Sequence, residues 1–362
     1  MIRIFKYHLF FLAIWMAFAS CTKDQNRSSV KIEALPEQKD ISIIVLLGDG
    51  MGIPQLTAAW HQNNYLNLAS FPYSGLMRTH SANTFVTESG SSATSMFSGI
   101  KTNYGYQGID IYGENIETLY TYLKNQQYKT AIITSTFITD ATLGALYSHV
   151  DDRYQYEKIA LDYVKNYPDF CVGGGQIHFD QRSDGLNLLD SLRSKQVQIY
   201  FNEHDIDQIN SLPALTLLHP TRPPYLSAGR GDFLKKSSLK ALQFFDQERF
   251  FIFIEGGHID LGGHDNNIAV QIEELLELDD IAGDMLEYAQ SQDNVLVLVL
   301  GDHESGGLNL LSGEGMNYTT YYSTDEHSGS MVAVFAYGPG AENFTGLMDN
   351  TEIYDKLMKI LQ

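Results

Sequence analysis

ISIIVLLGDGMG, residues 41–52, decides the architecture. Residues 41–47 are dominated by apolar side chains, and Gly48-Asp49-Gly50 bounds them with a turn. Such a run suits a strand covered on both faces. Similar runs occupy residues 129–134, 250–254, 295–300 and 331–336, and helical patterns lie between them at 116–126, 154–166 and 269–290. The alternation predicts an α/β fold: a large doubly wound, mostly parallel sheet with helices on both faces. Ligands of such sheets sit beyond the carboxyl ends of the strands. The residues beside each run are therefore the ones to read for chemistry.

Four polar clusters stand there. Gly48-Asp49-Gly50-Met51-Gly52 follows the first run. Glu255-Gly-Gly-His258-Ile-Asp260-Leu-Gly-Gly-His264-Asp265 follows the run at 250–254, and Gly301-Asp302-His303-Glu304 follows that at 295–300. Asp325-Glu326-His327-Ser328-Gly329 precedes the run at 331–336. One Asp-His pair alone is more often a surface turn. Four clusters at strand ends converge in space, and a mixed carboxylate–imidazole set suits zinc, with oxygen-only positions left for magnesium.

A nucleophile candidate lies in Val86-Thr87-Glu88-Ser89-Gly90-Ser91-Ser92-Ala93-Thr94. Small residues crowd a helix start there, and Gly99 closes the helix. Ser89 at a helix N-terminus has free backbone N–H groups and a positive dipole end beside it, which receive phosphate well. No G-x-S-x-G element accompanies it, so metal coordination is the expected means of activating the serine.

The bulk properties bound the alternatives. The chain has 362 residues, 44% of them hydrophobic, and a net charge of -20. A core of this size is ample for one large domain. No Lys/Arg run offsets the acidity, so no nucleic-acid partner is expected. Residues 1–20 read as a signal peptide, with Arg3 and Lys6 ahead of an apolar stretch and small residues before Cys21. Phe18-Ala19-Ser20-Cys21 resembles a lipobox, which predicts an exported lipoprotein held to a membrane through lipid on Cys21 and facing the periplasm or cell surface. Residues 21–40 read as a tether and 41–362 as the catalytic domain. Cys171 is the other cysteine, expected in the core, so no disulfide is expected.

The ordered motifs resemble the alkaline phosphatases from about Ile41 onward. LLGDGMG (46–52), VTESGSSATSMFSGIKT (86–102), DATLGALYSHVDDR (140–153), EGGHIDLGGH (255–264), GDHESGGL (301–308) and EHSG (326–329) carry the likeness. The resemblance implies two Zn²⁺ and one Mg²⁺. Asp260, His264 and His327 would hold the first zinc, and Asp49, Asp302 and His303 the second. Asp49 would bridge to magnesium with Thr142 and Glu255, and Asp140 would hold its water. Ser89 would be the nucleophile, forming a phosphoserine, and Arg153 would grip two phosphate oxygens with its planar fork.

Two departures from that pattern stand out. Glu88 takes the place of an Asp that helps position the arginine. Leu261 stands where relatives carry Lys, His or Trp, so looser phosphate binding is expected. His258 matches no ligand position. Glu304 adjoins the ligands without being one. The short span from His303 to His327 leaves little room for an inserted subdomain, and the sequence fixes no oligomeric state. Three functions compete: a phosphomonoesterase; a related phosphodiesterase, sulfatase or phosphonate hydrolase; and a phosphate-binding lipoprotein without catalysis. Arg153 and the set Asp140, Thr142, Glu255 favour phosphate monoester substrates, because they complement a dianion.

Overall fold

A computed structural model describes residues 40–362. The expected signal peptide, Cys21 and the tether through residue 39 lie outside the described residues.

Fourteen strands are described: Ser42–Gly48 (β1), Tyr73–Arg78 (β2), Lys129–Phe137 (β3), Phe170–Gly174 (β4), Gln198–Tyr200 (β5), Ala214–Leu217 (β6), Phe250–Gly256 (β7), Val295–Gly301 (β8), Glu304–Ser305 (β9), Leu308–Ser312 (β10), Tyr318–Tyr322 (β11), His327–Ser328 (β12), Val332–Tyr337 (β13) and Gly346–Asp349 (β14). Ten of them form one sheet in the order β14-β2-β13-β8-β1-β7-β3-β4-β6-β5. Neighbours pair in parallel except around β13, which is antiparallel to both β8 and β2. The expected mostly parallel sheet is thus the observed one.

β1 lies at the centre, paired with β7 on one side and β8 on the other. Its side chains alternate between two cores, as the two-residue period of a strand requires. Ile43, Val45 and Leu47 pack on one face with Phe97, Leu119 and Leu143. Ile44 and Leu46 pack on the other with Leu275, Leu278 and Ile281 from the Ile268–Gln290 helix. Both faces are dry, which is why residues 41–47 show no polar stripe.

Element boundaries shifted where capping overrides hydrophobic pattern. The helix expected from residue 116 begins at Leu119, because Thr118 and Thr121 form a capping box. Five strands of this sheet, β2, β4, β5, β6 and β14, lie outside the apolar runs read from sequence. Each is six residues long or shorter, too little for a periodic pattern to stand out. Cys171 is buried in β4, where burial pushes its thiol up to about 12. The span between His303 and His327 holds the β10/β11 hairpin.

Candidate active site

The carboxyl rim of β1, β7 and β8 is where the clusters meet. After β1 the chain turns through Asp49 and Gly50. Gly50 has φ of 72°, and a Cβ there would lie 2.7 Å from the Asp260 Cα and 2.9 Å from the Ser305 Cβ. Only glycine lets this turn pack against the helix His258–His264. The Gly50 N–H donates to Asp302 Oδ1 at 3.0 Å, tying the β1 exit to the β8 exit. β13 runs opposite to the other strands, so the residues preceding it, including His327, reach the same rim.

One half of the site is rich in imidazole. Asp260 Oδ2 lies 3.1 Å from His264 Nε2, and Asp260 Oδ1 lies 3.4 Å from His327 Nε2. His264 donates from Nδ1 to the Asp325 carbonyl at 2.6 Å, and His327 from Nδ1 to the Thr87 carbonyl at 2.9 Å. Those backbone bonds fix each ring with its Nε2 facing the centre. The two Nε2 atoms are 3.3 Å apart. His327 also stacks on His303, centroid to centroid 3.6 Å.

Ser89 bridges to the second group. It is the first residue of the helix Ser89–Ser98, whose cap is Glu88. The Glu88 carboxylate accepts from Gly90 N at 2.9 Å, Ser91 N at 2.6 Å and Gly105 N at 3.0 Å. Ser89 Oγ stands 3.4 Å from each oxygen of Asp49 and 3.3 Å from His303 Nε2. These separations are long for hydrogen bonds between such groups and suit donors arranged around a shared cation. His303 Nε2 is also 3.3 Å from Asp302 Oδ2 and 3.4 Å from Asp49 Oδ1.

The other half is built of oxygens. Glu255, at the end of β7, is buried and accepts from the hydroxyls of Thr134 and of Thr136, the latter at 3.3 Å. Thr142 neighbours it and opposes the rise in its pKa. Asp140 caps the helix Ala141–Tyr147, accepting from Ala141 N at 2.9 Å, and its Oδ1 faces Arg153 Nη2 at 3.7 Å. Arg153 Nη1 donates to the fully buried Glu88 at 2.7 Å. The extra methylene of Glu88 leaves that pairing intact.

Charge decides what this centre needs. Burial first, then Asp302, Asp260 and Glu255, raise Asp49 well above the usual carboxylate range. Burial pushes Asp302 and Glu255 up to about 7. Burial and His327 depress His303, so the close Asp302–His303 pair is no ion pair. Asp260 goes the other way: burial opposes its charge, yet the imidazoles of His264 and His327 beside it hold it well below its ordinary value. Asp260 in turn lifts His264 to about 9. Asp260 Oδ1 and Asp302 Oδ2 are buried without a hydrogen-bond partner. A lone buried acceptor costs about 1–3 kcal/mol, which a cation ligated there removes. Asp260, His264 and His327 form one group whose donor atoms lie within 4.8 Å of one another, and Asp49, Asp260 and His303 form another. The donor set therefore fits divalent cations.

The structure brings together the sequence-read candidates Asp49, Ser89, Asp260, His264, Asp302, His303 and His327. Asp140, Thr142, Arg153 and Glu255 adjoin them. Glu304 binds Gln55 Nε2 at 2.9 Å, Leu308 N at 3.0 Å and the Ser328 hydroxyl. It braces the β9/β12 bridge that carries His327. His258 turns away, bonded to Arg230 and to the Pro223 carbonyl. Sequence reading missed Thr134 and Thr136, which sit inside an apolar strand and reveal themselves only by facing Glu255.

A carboxylate–imidazole centre at the carboxyl rim of a parallel sheet is the architecture of a metal-dependent hydrolase. The family model for alkaline phosphatase matches residues 40–322 and 316–362. The chain belongs to the alkaline phosphatase family. The repressible alkaline phosphatase of Saccharomyces cerevisiae is 30% identical over 315 residues, 75% of this chain and 56% of the yeast protein, so the match spans little more than half that relative. The Escherichia coli alkaline phosphatase is 25% identical over 405 residues, covering 89% of this chain and 86% of that one. The solved alkaline phosphatase of the Antarctic bacterium TAB5 is 33% identical with a TM-score of 0.86, covering 90% of this chain and 99% of that chain. Two variants of that enzyme, each with one histidine replaced by an acidic residue, were solved with magnesium bound.

Proposed function

We propose that this chain hydrolyses phosphate monoesters through a phosphoserine at Ser89. The observation that carries the reading is the placement of Ser89 Oγ at a helix start, within 3.4 Å of Asp49 and His303. Two Zn²⁺ and one Mg²⁺, held by the residue sets named above, would supply charge neutralisation and lower the pKa of the serine and of water. The protein's own groups do the rest. Ser89 attacks phosphorus in line at the positive end of its helix, whose Gly90 and Ser91 N–H groups are already taken by Glu88; the Oγ–P bond forms as the ester P–O bond breaks, Ser89 gives up its proton and the alcohol leaves protonated. Glu88 holds Arg153 by one edge, leaving the guanidinium to bind two oxygens of a dianion. Water then attacks from the vacated side, the Oγ–P bond breaks, and inorganic phosphate leaves as Ser89 regains a proton.

The test is hydrolysis of p-nitrophenyl phosphate by metal-loaded protein across pH, with acid trapping of radiolabelled phosphate. Ser89→Ala should abolish the trapped label. Arg153→Ala should keep the label but slow turnover by about 10²–10³. It should harm monoesters far more than diesters, since a diester blocks the bidentate contact. Label on another residue, or equal losses on both substrates, would overturn the reading; equal losses favour a phosphodiesterase.

The lipoprotein anchor forms a further part of the proposal, resting on the Phe18–Cys21 pattern. No helix of the described residues is long and apolar enough to cross a membrane. Cys21→Ser should release the protein from membranes with turnover intact. Wild-type protein found soluble with an unmodified Cys21 would rule the anchor out.

A further inference from the structure

Arg222 lies outside every motif, yet its guanidinium enters the candidate site. Nη2 donates to Asp140 Oδ2 at 3.3 Å, and the guanidinium carbon stands 4.9 Å from the centre of the Phe137 ring. The other oxygen of Asp140 faces Arg153 Nη2 at 3.7 Å. One carboxylate thus separates two guanidiniums. The Arg222 side chain is 36% exposed, and its Nη1 has no hydrogen-bond partner among the described residues. Its Nε is buried and unpartnered.

The loop carrying Arg222 is pinned on both sides of it. Gly175 N–H donates to the Thr221 carbonyl at 2.8 Å. His258 Nε2 donates to the Pro223 carbonyl at 3.0 Å. At Gly174 a Cβ would meet the Thr221 oxygen at 2.2 Å, so only glycine admits the loop this close. Pro223 and Pro224 restrict the backbone beyond. His258 accepts on Nδ1 from Arg230 at 2.7 Å, which sets the tautomer that donates from Nε2. Arg230 is itself fully buried and paired with Glu274 at 2.7 Å and with Glu277. His258 belongs to the same short helix as Asp260 and His264. The Arg222 loop is therefore braced against the helix that supplies two of the candidate ligands.

Leu261 follows Asp260 on that helix and offers no polar atom, where the family resemblance led us to expect a cation or a large ring. We propose that Arg222 is a second phosphate-binding residue, reaching from the opposite loop to contact an oxygen of the phosphoryl dianion or of the released phosphate. Asp140 orients it, as it orients Arg153. The two guanidiniums together favour a dianionic group over a singly charged one. This inference rests on the phosphomonoesterase reading.

The experiment uses metal-loaded wild-type protein, Arg222→Ala and Arg222→Lys. Binding of inorganic phosphate is measured by titration calorimetry, inhibition by phosphate against p-nitrophenyl phosphate, and bound magnesium by elemental analysis. Arg222→Ala should weaken phosphate binding about tenfold, the weight of one charge-assisted hydrogen bond. KM should rise by a similar factor, kcat should hold within about threefold, and magnesium content should not change. Arg222→Lys should recover part of the affinity. Phosphate binding within twofold of wild type in Arg222→Ala would overturn the proposal. Loss of phosphate affinity together with magnesium would also overturn it, since Arg222 would then act only by holding Asp140. Wild-type protein that neither binds phosphate nor hydrolyses monoesters would sink the phosphomonoesterase reading instead.

Discussion

Asp260 and Glu255 are both buried carboxylates at the same sheet rim, yet their surroundings push them in opposite directions. Asp260 faces two imidazoles and is held well below its ordinary value. Glu255 faces threonine hydroxyls and other carboxylates, and is pushed up to about 7. Burial penalises both charges alike; the partners decide the outcome. The imidazole half therefore carries its own counter-charge. In the oxygen half the two guanidiniums face Asp140, while Glu255 has no cationic side chain among the groups that act on it most and depends on a hard cation to stay ionised. This difference in self-sufficiency separates a mixed nitrogen–oxygen donor set from one built of oxygens alone.

The sharpest way to break the contrast is to remove the cations from both halves. Exhaustive chelation should reduce turnover by at least about 10³, and Zn²⁺ with Mg²⁺ together should restore it. Thermal midpoint should fall on stripping, because the metals bind the native state. Full activity with metal absence verified would end the comparison.

Next in size are paired substitutions. Asp260→Asn leaves two imidazoles without their counter-charge. It should cost the metal-free protein about 3–5 kcal/mol in urea unfolding, as breaking a buried pair does. Glu255→Gln removes a charge that nothing compensates while keeping an acceptor for the threonine hydroxyls. It should leave metal-free stability unchanged or higher at pH 8, yet weaken magnesium binding by about 10–100-fold. Equal destabilisation by both variants would show that the halves are not distinct.

A subtler test is pH. Asp302 and Glu255 have raised folded-state values, so the stability they lend is fully present below their unfolded values near 4 and is lost as pH rises toward about 7. His264 is raised to about 9, so its contribution is present below its unfolded value and disappears through about pH 9. Asp260 has the opposite sign, its contribution being present above the unfolded value and lost as pH falls toward its depressed folded one. Metal-stripped protein should thus lose thermal midpoint, by several degrees, between pH 5 and pH 9. Metal-loaded protein should gain over the same range, since the metals displace protons. Parallel slopes would contradict this.

The smallest effect expected is at Thr136. Thr136→Val removes one 3.3 Å hydrogen bond to Glu255. It should raise the magnesium requirement only about two- to fivefold, with zinc binding unchanged by equilibrium dialysis.

Asp49, Glu255, Asp302 and His303 were legible as candidates because each follows closely on an apolar run, where periodicity breaks. Ser89 was legible through its cap. Thr134 and Thr136 were not, since a threonine inside a strand reads as β-propensity. Arg222 was hidden for another reason. It lies in an irregular proline-containing loop after β6, and only the lateral order β3-β4-β6 carries that loop to Asp140. Pairing order across a sheet is a property of the whole chain, which no local window reports.

β13 has a consequence for the order of events in synthesis. It slots between β2 and β8, and it is antiparallel to both. A chain made from its N-terminus holds Asp49, Ser89, Asp260 and Asp302 before β13 exists to hold His327 at the rim. The imidazole pair that keeps Asp260 charged is then incomplete. A cation held by Asp260, His264 and His327 together therefore requires the chain to be in place through the strand that carries His327 to the rim.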